Sequence, residues 1–112
     1  METTRQQKVA KLLQKELAEV LQLEASNMYS SAMVTITRVE ISKDLSFAKI
    51  YLSIFATTDK RIVFEKIQEN KKELRFRLGQ RVKNQLRIIP ELSFIFDDTL
   101  DYLENIDKLL KS

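Results

Sequence analysis

The chain of 112 residues contains no cysteine and no histidine, and it has a single glycine and a single proline. These absences remove the commonest zinc ligands, the cysteine nucleophile, the histidine general base and any disulfide framework. Because Gly79 is the one glycine, the chain also has no glycine-rich phosphate loop. We therefore expect a protein that is not an enzyme and that uses no cofactor and no metal.

Long hydrophobic runs are also missing. No segment approaches the roughly 18 to 20 apolar residues that span a bilayer, and residues 1–8 lead into a charged helix instead of an apolar export signal. Hydrophobic residues still make up 44% of the chain, which is enough for one modest core. We expect a single domain over residues 1–112, in a soluble, cytoplasmic monomer without membrane contact.

The charged residues are unevenly distributed along the chain. Residues 1–59 carry 7 basic and 7 acidic side chains, residues 60–87 carry 10 and 3, and residues 88–112 carry 2 and 6. The middle segment therefore has a charge of +7 (10 − 3), within a chain whose net charge is +3. Such an excess predicts that one face of the protein binds an anionic partner.

Three stretches have apolar residues at the spacing of amphipathic helices. The first covers residues 3–23 and precedes a loop of about ten residues. The second begins after the N-cap signal at 57–59, and a polar cluster divides it, so we expect two helices that meet at a kink in residues 70–74. The third follows residues 97–98 and predicts a short C-terminal helix.

Three other stretches predict β-strands. Residues 33–41 are rich in β-branched side chains, and a bulge within 36–39 would explain a change in the phase of their alternation. Residues 46–55 would pair with them as an antiparallel hairpin, and residues 86–96 form a third strand. Pro90 cannot donate to a ladder, so it indicates an edge position or a bend. The succession α-β-β-α-α-β-α predicts an α+β domain in which helices cover one sheet.

Two stretches carry a family resemblance. Residues 34–53, VTITRVEISKDLSFAKIYLS, contain a strand, a Ser-x-Asp-Leu turn and an Ala-Lys strand, and residues 86–100, LRIIPELSFIFDDTL, contain the block Leu-Arg-x-x-Pro-Glu-Leu-x-Phe-x-x-Asp. Together with the first helix and the order of elements, these motifs resemble the ribosome-binding factor A family over nearly the whole chain.

The resemblance implies a type II KH-like fold, α-β-β-α-α-β, in a bacterial, non-catalytic ribosome assembly factor. Members of this family bind the free, immature 30S small ribosomal subunit, not translating ribosomes, near the 5′-terminal helix and neck of the 16S rRNA. The resemblance also implies a role in late maturation, in 16S rRNA processing and in adaptation to low temperature.

The chain departs from familiar patterns at two places. A typical KH domain clamps the nucleic-acid backbone with a Gly-x-x-Gly loop, and a chain with one glycine cannot contain that loop. Many family members have an Ala-x-Gly kink between the two central helices, and counting back from Pro90 matches it to Lys72-Glu73-Leu74.

The basic middle segment supplies the candidate RNA contacts. If this segment is helical, its cations lie on the solvent side while Leu74, Leu78 and Val82 face inward. Arg87, just before the third strand, would extend the basic surface, and Lys43 in the hairpin turn would belong to a second patch. The predicted RNA-binding residues are Arg75, Arg81, Lys83, Arg87, Lys71 and Lys43.

The alternative is an ordinary solvated helix in which Glu65, Glu69 and Glu73 pair with some of the cations. Three acids cannot balance ten bases, which favours an anionic partner. If Arg75 and Arg81 are surface contacts, reversing both to Glu should abolish subunit association and leave thermal stability nearly unchanged.

Phe47, Tyr51 and Phe55 alternate on one face of the second strand and allow a base-stacking platform. The more ordinary interpretation is that the C-terminal helix covers this face.

Carboxylates invite two further interpretations. Asp97, Asp98 and Asp101 are close enough in sequence to suggest a magnesium site, although such clusters more often cap the next helix. Asp44 in the hairpin turn is expected to bind backbone N–H groups.

Two other functions remain open from the sequence. The basic face of a protein-interaction module would meet an acidic protein instead of RNA. A small hydrolase would have to work with Asp or Glu alone, and no convergent motif supports it.

Overall fold

A computed structural model describes residues 3–24, 33–55 and 59–97. In chain order it contains helix α1 (Thr4–Leu23), strands β1 (Met33–Ile41) and β2 (Phe47–Phe55), helices α2 (Lys60–Glu69) and α3 (Lys71–Val82), and strand β3 (Glu91–Phe96). This order confirms the predicted α-β-β-α-α-β succession. The predicted C-terminal helix and most of the loop after the first helix lie outside the described residues. No described helix has the length and apolar character needed to cross a membrane.

Helix α1 begins at a capping box. The Thr3 hydroxyl accepts from the Gln6 backbone N–H (3.1 Å), and the Gln6 side chain accepts from the Thr3 N–H (2.9 Å). The buried Gln6 amide also donates to the Ile41 carbonyl at the end of β1 (2.8 Å). The cap therefore fixes the start of the helix and also ties it to the sheet.

The three strands lie in the order β1-β2-β3. Strands β1 and β2 form the predicted antiparallel hairpin, and their register shifts between Ile36 and Arg38, which confirms the predicted bulge. Strand β3 pairs with β2 in parallel and lies at an edge, so Pro90 immediately before it removes no ladder bond from a central strand.

One hydrophobic cluster joins the helices to a single face of the sheet. Strand β2 contributes Ala48, Ile50, Leu52 and Ile54, and the helices contribute residues such as Leu17, Ile67 and Leu78. Each large apolar side chain buried in this way stabilises the fold by about 1.5–3 kcal/mol relative to its exposed state.

The turn between β1 and β2 depends on Asp44. One carboxylate oxygen of Asp44 accepts from the Ser42 hydroxyl, the Ser46 hydroxyl and the Ser46 backbone N–H, at 2.7 to 3.1 Å. These bonds hold a turn in which Leu45 adopts a left-handed backbone, φ 61°, which is unfavourable for a residue with a β-carbon. The expected structural role of Asp44 is confirmed.

Asn70 separates α2 from α3. Its side-chain amide donates to the Lys66 carbonyl (2.8 Å) and so caps the end of α2, while its own carbonyl accepts from the Leu74 N–H (2.9 Å) and starts α3. The division into two helices is confirmed. The break lies at Asn70, and Lys72-Glu73-Leu74, which were matched to the family kink, lie within the first turn of α3.

The chain reaches β3 through a crossover segment, Leu86–Pro90, which passes against α3. Arg75 of α3 donates through Nε to the Pro90 carbonyl (2.9 Å) and through an Nη to the Ile89 carbonyl. The contact is close at Gly79, because a β-carbon there would lie 3.3 Å from Cγ1 of Ile89. Arg75 therefore ties α3 to the crossover segment, and Gly79 leaves room for the Ile89 side chain between them.

We expect Arg75→Ala to lower the free energy of unfolding by about 1–3 kcal/mol, because two carbonyl oxygens lose a charged donor. Arg75→Lys should recover only part of the loss, since an ammonium cannot present the guanidinium fork. Urea unfolding measures both effects. The matched control is Arg61→Ala, which removes an exposed arginine paired with Glu65 on α2 and should change stability by less than about 0.5 kcal/mol. Equal effects of the Arg75 and Arg61 substitutions would contradict the structural role of Arg75.

The Asp44 turn predicts a pH dependence. Hydrogen bonds from the side chains of Ser46 and Ser42 lower the pKa of Asp44 from 3.8 to about 2. The ionised carboxylate therefore stabilises the fold above about pH 4, and this contribution is lost as the pH falls towards 2. We expect Asp44→Asn to be less stable than the wild type at neutral pH, by a margin that shrinks below pH 4. Urea unfolding of both proteins across this range tests the prediction, and a margin that does not change with pH would exclude the carboxylate charge as its source.

Candidate functional site

Helix α3 presents a different environment on each of its sides. Leu74, Leu78 and Val82 are buried against the core, as the helical spacing predicted. The remaining positions face α1, the crossover segment or solvent. These environments decide which of the predicted RNA-binding cations are available for a ligand.

Arg75 and Arg81 are engaged within the fold. Arg75 binds the crossover segment, and Arg81 forms ion pairs with Glu16 (2.7 Å) and Glu19 of α1. Both side chains are exposed, as the sequence predicted, but their partners within the fold were not foreseen. We therefore expect that reversing both charges would lower the stability as well. Glu at position 75 would face two carbonyl oxygens, and Glu at position 81 would face two carboxylates.

Arg77 extends the ion pairs between α1 and α3. Its guanidinium lies 2.9 Å from Glu24, the C-cap residue of α1, and 2.9 Å from Glu73 of its own helix. The comparison of three acidic with ten basic residues covered only the middle segment of the sequence. It therefore left out the glutamates that α1 supplies. These contacts neutralise one side of α3.

Four of the six predicted residues make no ion pair with any of the described residues. Lys71, Lys83, Arg87 and Lys43 are exposed, and within residues 3–24, 33–55 and 59–97 none of them has an ion-pair partner or a side-chain hydrogen bond. Lys72 shares this condition, although it was not among the predicted contacts. The surface called the basic surface below consists of Lys71 and Lys72 on α3, Lys83 at the C-cap of α3, and Arg87 on the crossover segment.

The hairpin turn adjoins one end of the basic surface. The Glu91 N–H donates to the Ser46 carbonyl (2.9 Å), which brings the turn against the crossover segment. Arg5 of α1 and Arg87 line one depression of about 220 Å³ there, together with Asp44. Arg5 is a further cation that charge counting by segment did not reveal, because it lies far from Arg87 in sequence.

The solvent side of α3 also carries an aromatic ring. Phe76 is 62% exposed and lies between the buried positions 74 and 78 in sequence. The helical spacing that assigns Leu74 and Leu78 to the core places Phe76 on the opposite side. The exposure of Phe76 could therefore have been predicted from the helical spacing in the sequence.

The sheet face predicted as a stacking platform is partly covered. The Arg38 guanidinium lies 4.2 Å from the centre of the Tyr51 ring, and the Tyr51 hydroxyl donates to Glu40 (3.3 Å). Phe47 is exposed and Phe55 is half-buried. Because Arg38 occupies one face of the Tyr51 ring, the middle position of the platform is not open to a base on that face. The C-terminal helix proposed as an alternative cover lies outside the described residues.

The aspartates considered as magnesium ligands are only partly described. Asp97 accepts a hydrogen bond from Thr37 at the β1 bulge (2.7 Å), while Asp98 and Asp101 lie outside the described residues. In the described part of the chain, no group of three acidic side chains is placed to hold a metal ion.

Sequence comparison identifies close relatives. The model of the ribosome-binding factor A family matches residues 5–110. Ribosome-binding factor A of Cytophaga hutchinsonii is 44% identical over 110 residues, which cover 98% of this chain and 83% of the relative. The protein of the same name from Christiangramia forsetii is 41% identical over 112 residues, covering 98% and 85%.

Solved structures agree with this assignment. The crystal structure of ribosome-binding factor A from Thermus thermophilus has a TM-score of 0.64 and 25% identity, covering 80% of this chain and 93% of that one. The solution structure of a Thermotoga maritima protein described as a putative ribosome binding factor A has a TM-score of 0.63 and 27% identity, covering 85% and 89%. A Thermus thermophilus homology model fitted into a cryo-EM map of a 30S complex has a TM-score of 0.60, with 25% identity over 77% of this chain and 88% of that one. The predicted α+β fold is confirmed, and this chain belongs to the ribosome-binding factor A family.

Proposed function

We propose that this protein is a ribosome assembly factor that binds the immature 30S subunit through its 16S rRNA. The observation that carries the proposal is the basic surface, whose four cations have no carboxylate partner among the described residues. The membership of the family supports it, as does the Thermus thermophilus relative fitted into a 30S complex.

Phosphate groups are the natural ligands of such a surface. Each phosphate that a lysine or arginine neutralises releases condensed counterions, so the affinity gains a large term that does not depend on base sequence. Cations that are already paired with carboxylates would have to give up those pairs on binding, so they would contribute less to the affinity. The cations of the basic surface, which have no carboxylate partner among the described residues, are therefore the phosphate contacts that we propose.

The mode of action follows from binding without catalysis. The protein would bind one conformation of the rRNA more tightly than others and so shift the immature particle towards it. Near the 5′ end and neck of the 16S rRNA, such a shift would assist late maturation and 5′ processing in the cytoplasm, with most benefit at low temperature. A Gly-x-x-Gly clamp takes no part, since the chain has one glycine.

Co-sedimentation with purified ribosomal particles tests the proposal. We expect the protein to associate with free small subunits and not with complete ribosomes, and the association should weaken steeply as salt rises. The measurement is the bound fraction over a series of salt concentrations, with each type of particle.

The other outcomes are informative. Equal association with both types of particle would indicate general affinity for RNA and would refute the assembly-factor proposal. No association with either would instead favour a protein-interaction module with an acidic partner.

Neutralising the basic surface should weaken the association without unfolding the protein. For the triple variant Lys71→Gln, Lys83→Gln and Arg87→Gln, we expect roughly tenfold or greater loss of affinity for small subunits, and a salt dependence shallower by about 2 units of log K against log salt. Stability should stay within about 0.5 kcal/mol because all three side chains are exposed and unpaired.

A matched control is available on α1. The variant Lys8→Gln, Lys11→Gln and Lys15→Gln removes the same total charge from three exposed lysines of another helix. It should retain most of the affinity. If both triple variants lose affinity equally, net charge alone drives the association and the basic surface is not the site.

A further inference from the structure

Phe76 lies on the solvent side of α3, opposite the buried stripe of that helix. With 62% of its surface exposed, it is among the most exposed aromatic or aliphatic side chains of the described residues. Single exposed apolar residues are common on protein surfaces, so exposure alone implies no function. Whether Phe76 has a function therefore has to be inferred from the residues that surround its ring.

Two lysines that have no ion-pair partner within residues 3–24, 33–55 and 59–97 flank the ring along the helix. Lys72 lies one turn before Phe76, and Lys83 lies about two turns after it on the same side. Both lysines and Phe76 line an open depression of about 540 Å³ with Gly79 and Ile89. Among the described residues that line this depression, the charged ones are Lys72, Arg75 and Lys83, and none is acidic.

The other side of the ring has a different electrostatic character. There Phe76 borders a depression of about 400 Å³ between α1 and α3, which Glu24, Glu73 and Arg77 also line. Arg77 pairs with both of these glutamates, and their two negative charges exceed its single positive charge. Charge complementarity therefore places an anionic ligand on the side of Lys72 and Lys83.

An aromatic ring between cations suits a single-stranded nucleic acid. The phosphates of such a strand meet the cations, and an unpaired base stacks on the ring, because every base has a π-face. A continuous duplex does not offer that face, since its bases are already stacked. An acidic peptide would satisfy the lysines, but its carboxylates have no surface that stacks on a ring.

We propose that Phe76 is a stacking platform for an unpaired base of the bound RNA, and that Lys72 and Lys83 contact phosphates on either side of that base. The lysines are separated by about 16 Å along the helix axis, so the site takes a short single-stranded segment. This inference rests on the proposed function and specifies the RNA element that the α3 surface recognises.

The decisive comparison uses Phe76→Leu and Phe76→Tyr with purified small subunits. Leu keeps an apolar side chain and helix propensity but removes the ring, so affinity should fall between roughly fivefold and a hundredfold, the range for loss of one stacked base. Tyr keeps the ring and should retain the wild-type affinity. Phe47→Leu removes an exposed ring from the sheet and serves as the matched control, with no expected loss. Circular dichroism and thermal unfolding verify that each variant is folded.

A second measurement identifies the contact as a base. The chain has no tryptophan, so Phe76→Trp places a single fluorescent indole at the site. We expect a short oligoadenylate RNA to quench its emission, and an RNA hairpin of equal length with few unpaired bases to quench it much less.

The outcomes separate the two levels of the proposal. If the wild-type protein does not bind small subunits, the proposed function fails and the inference fails with it. If the wild type binds and Phe76→Leu binds equally well, only the inference is overturned. If Phe76→Leu weakens subunit binding but RNA leaves the Trp emission unchanged, the ring contacts a ribosomal protein and stacking is excluded.

Discussion

Arg75 holds the crossover segment against α3 by donating to the carbonyl oxygens of Ile89 and Pro90. A parallel strand such as β3 can be reached only through a crossover, and the backbone carbonyls just before Glu91 have no partner in the ladder. Gly79 permits the close approach because it has no β-carbon to meet Ile89. These contacts lie next to the first residue of β3 and close to Arg87, so Arg75 helps to position both the edge strand and the end of the basic surface.

The fold divides the basic residues of the middle segment into two groups, because it pairs some of them with glutamates. Helix α1 contributes Glu16, Glu19 and Glu24, which bind Arg77 and Arg81 across the helix interface. These pairs are only partly exposed. They therefore contribute to the packing of α1 against α3 and also neutralise the arginines involved. Among the described residues, Lys71, Lys72 and Lys83 make no such pair, so the excess of +7 in the middle segment is not spread evenly around α3.

Local patterns in the sequence were sufficient for the order of the elements, although the third strand begins at Glu91 and not at residue 86 as predicted. The phase change between Ile36 and Val39 predicted the bulge, and the polar cluster before Leu74 predicted the division of the helices, because both depend on neighbouring residues. The status of Arg75 and Arg81 could not be predicted in this way. Their partners lie 14 to 65 residues away in sequence, so only the tertiary structure brings them together.

The contacts of the arginines and of the lysines in this region differ, as the chemistry of the two side chains predicts. Arg75, Arg77 and Arg81 each bridge two acceptors, for which the planar guanidinium presents its donors in a fixed fork that an ammonium lacks. Lys71, Lys72 and Lys83 remain hydrated charges on flexible stems, and such groups can follow a phosphate whose position varies. The arginines thus help to hold α3 in its place in the fold, whereas the lysines make no ion pair within the part of the chain that the structure describes. A basic residue of this helix is therefore better assigned to stability or to binding by its contacts than by its charge.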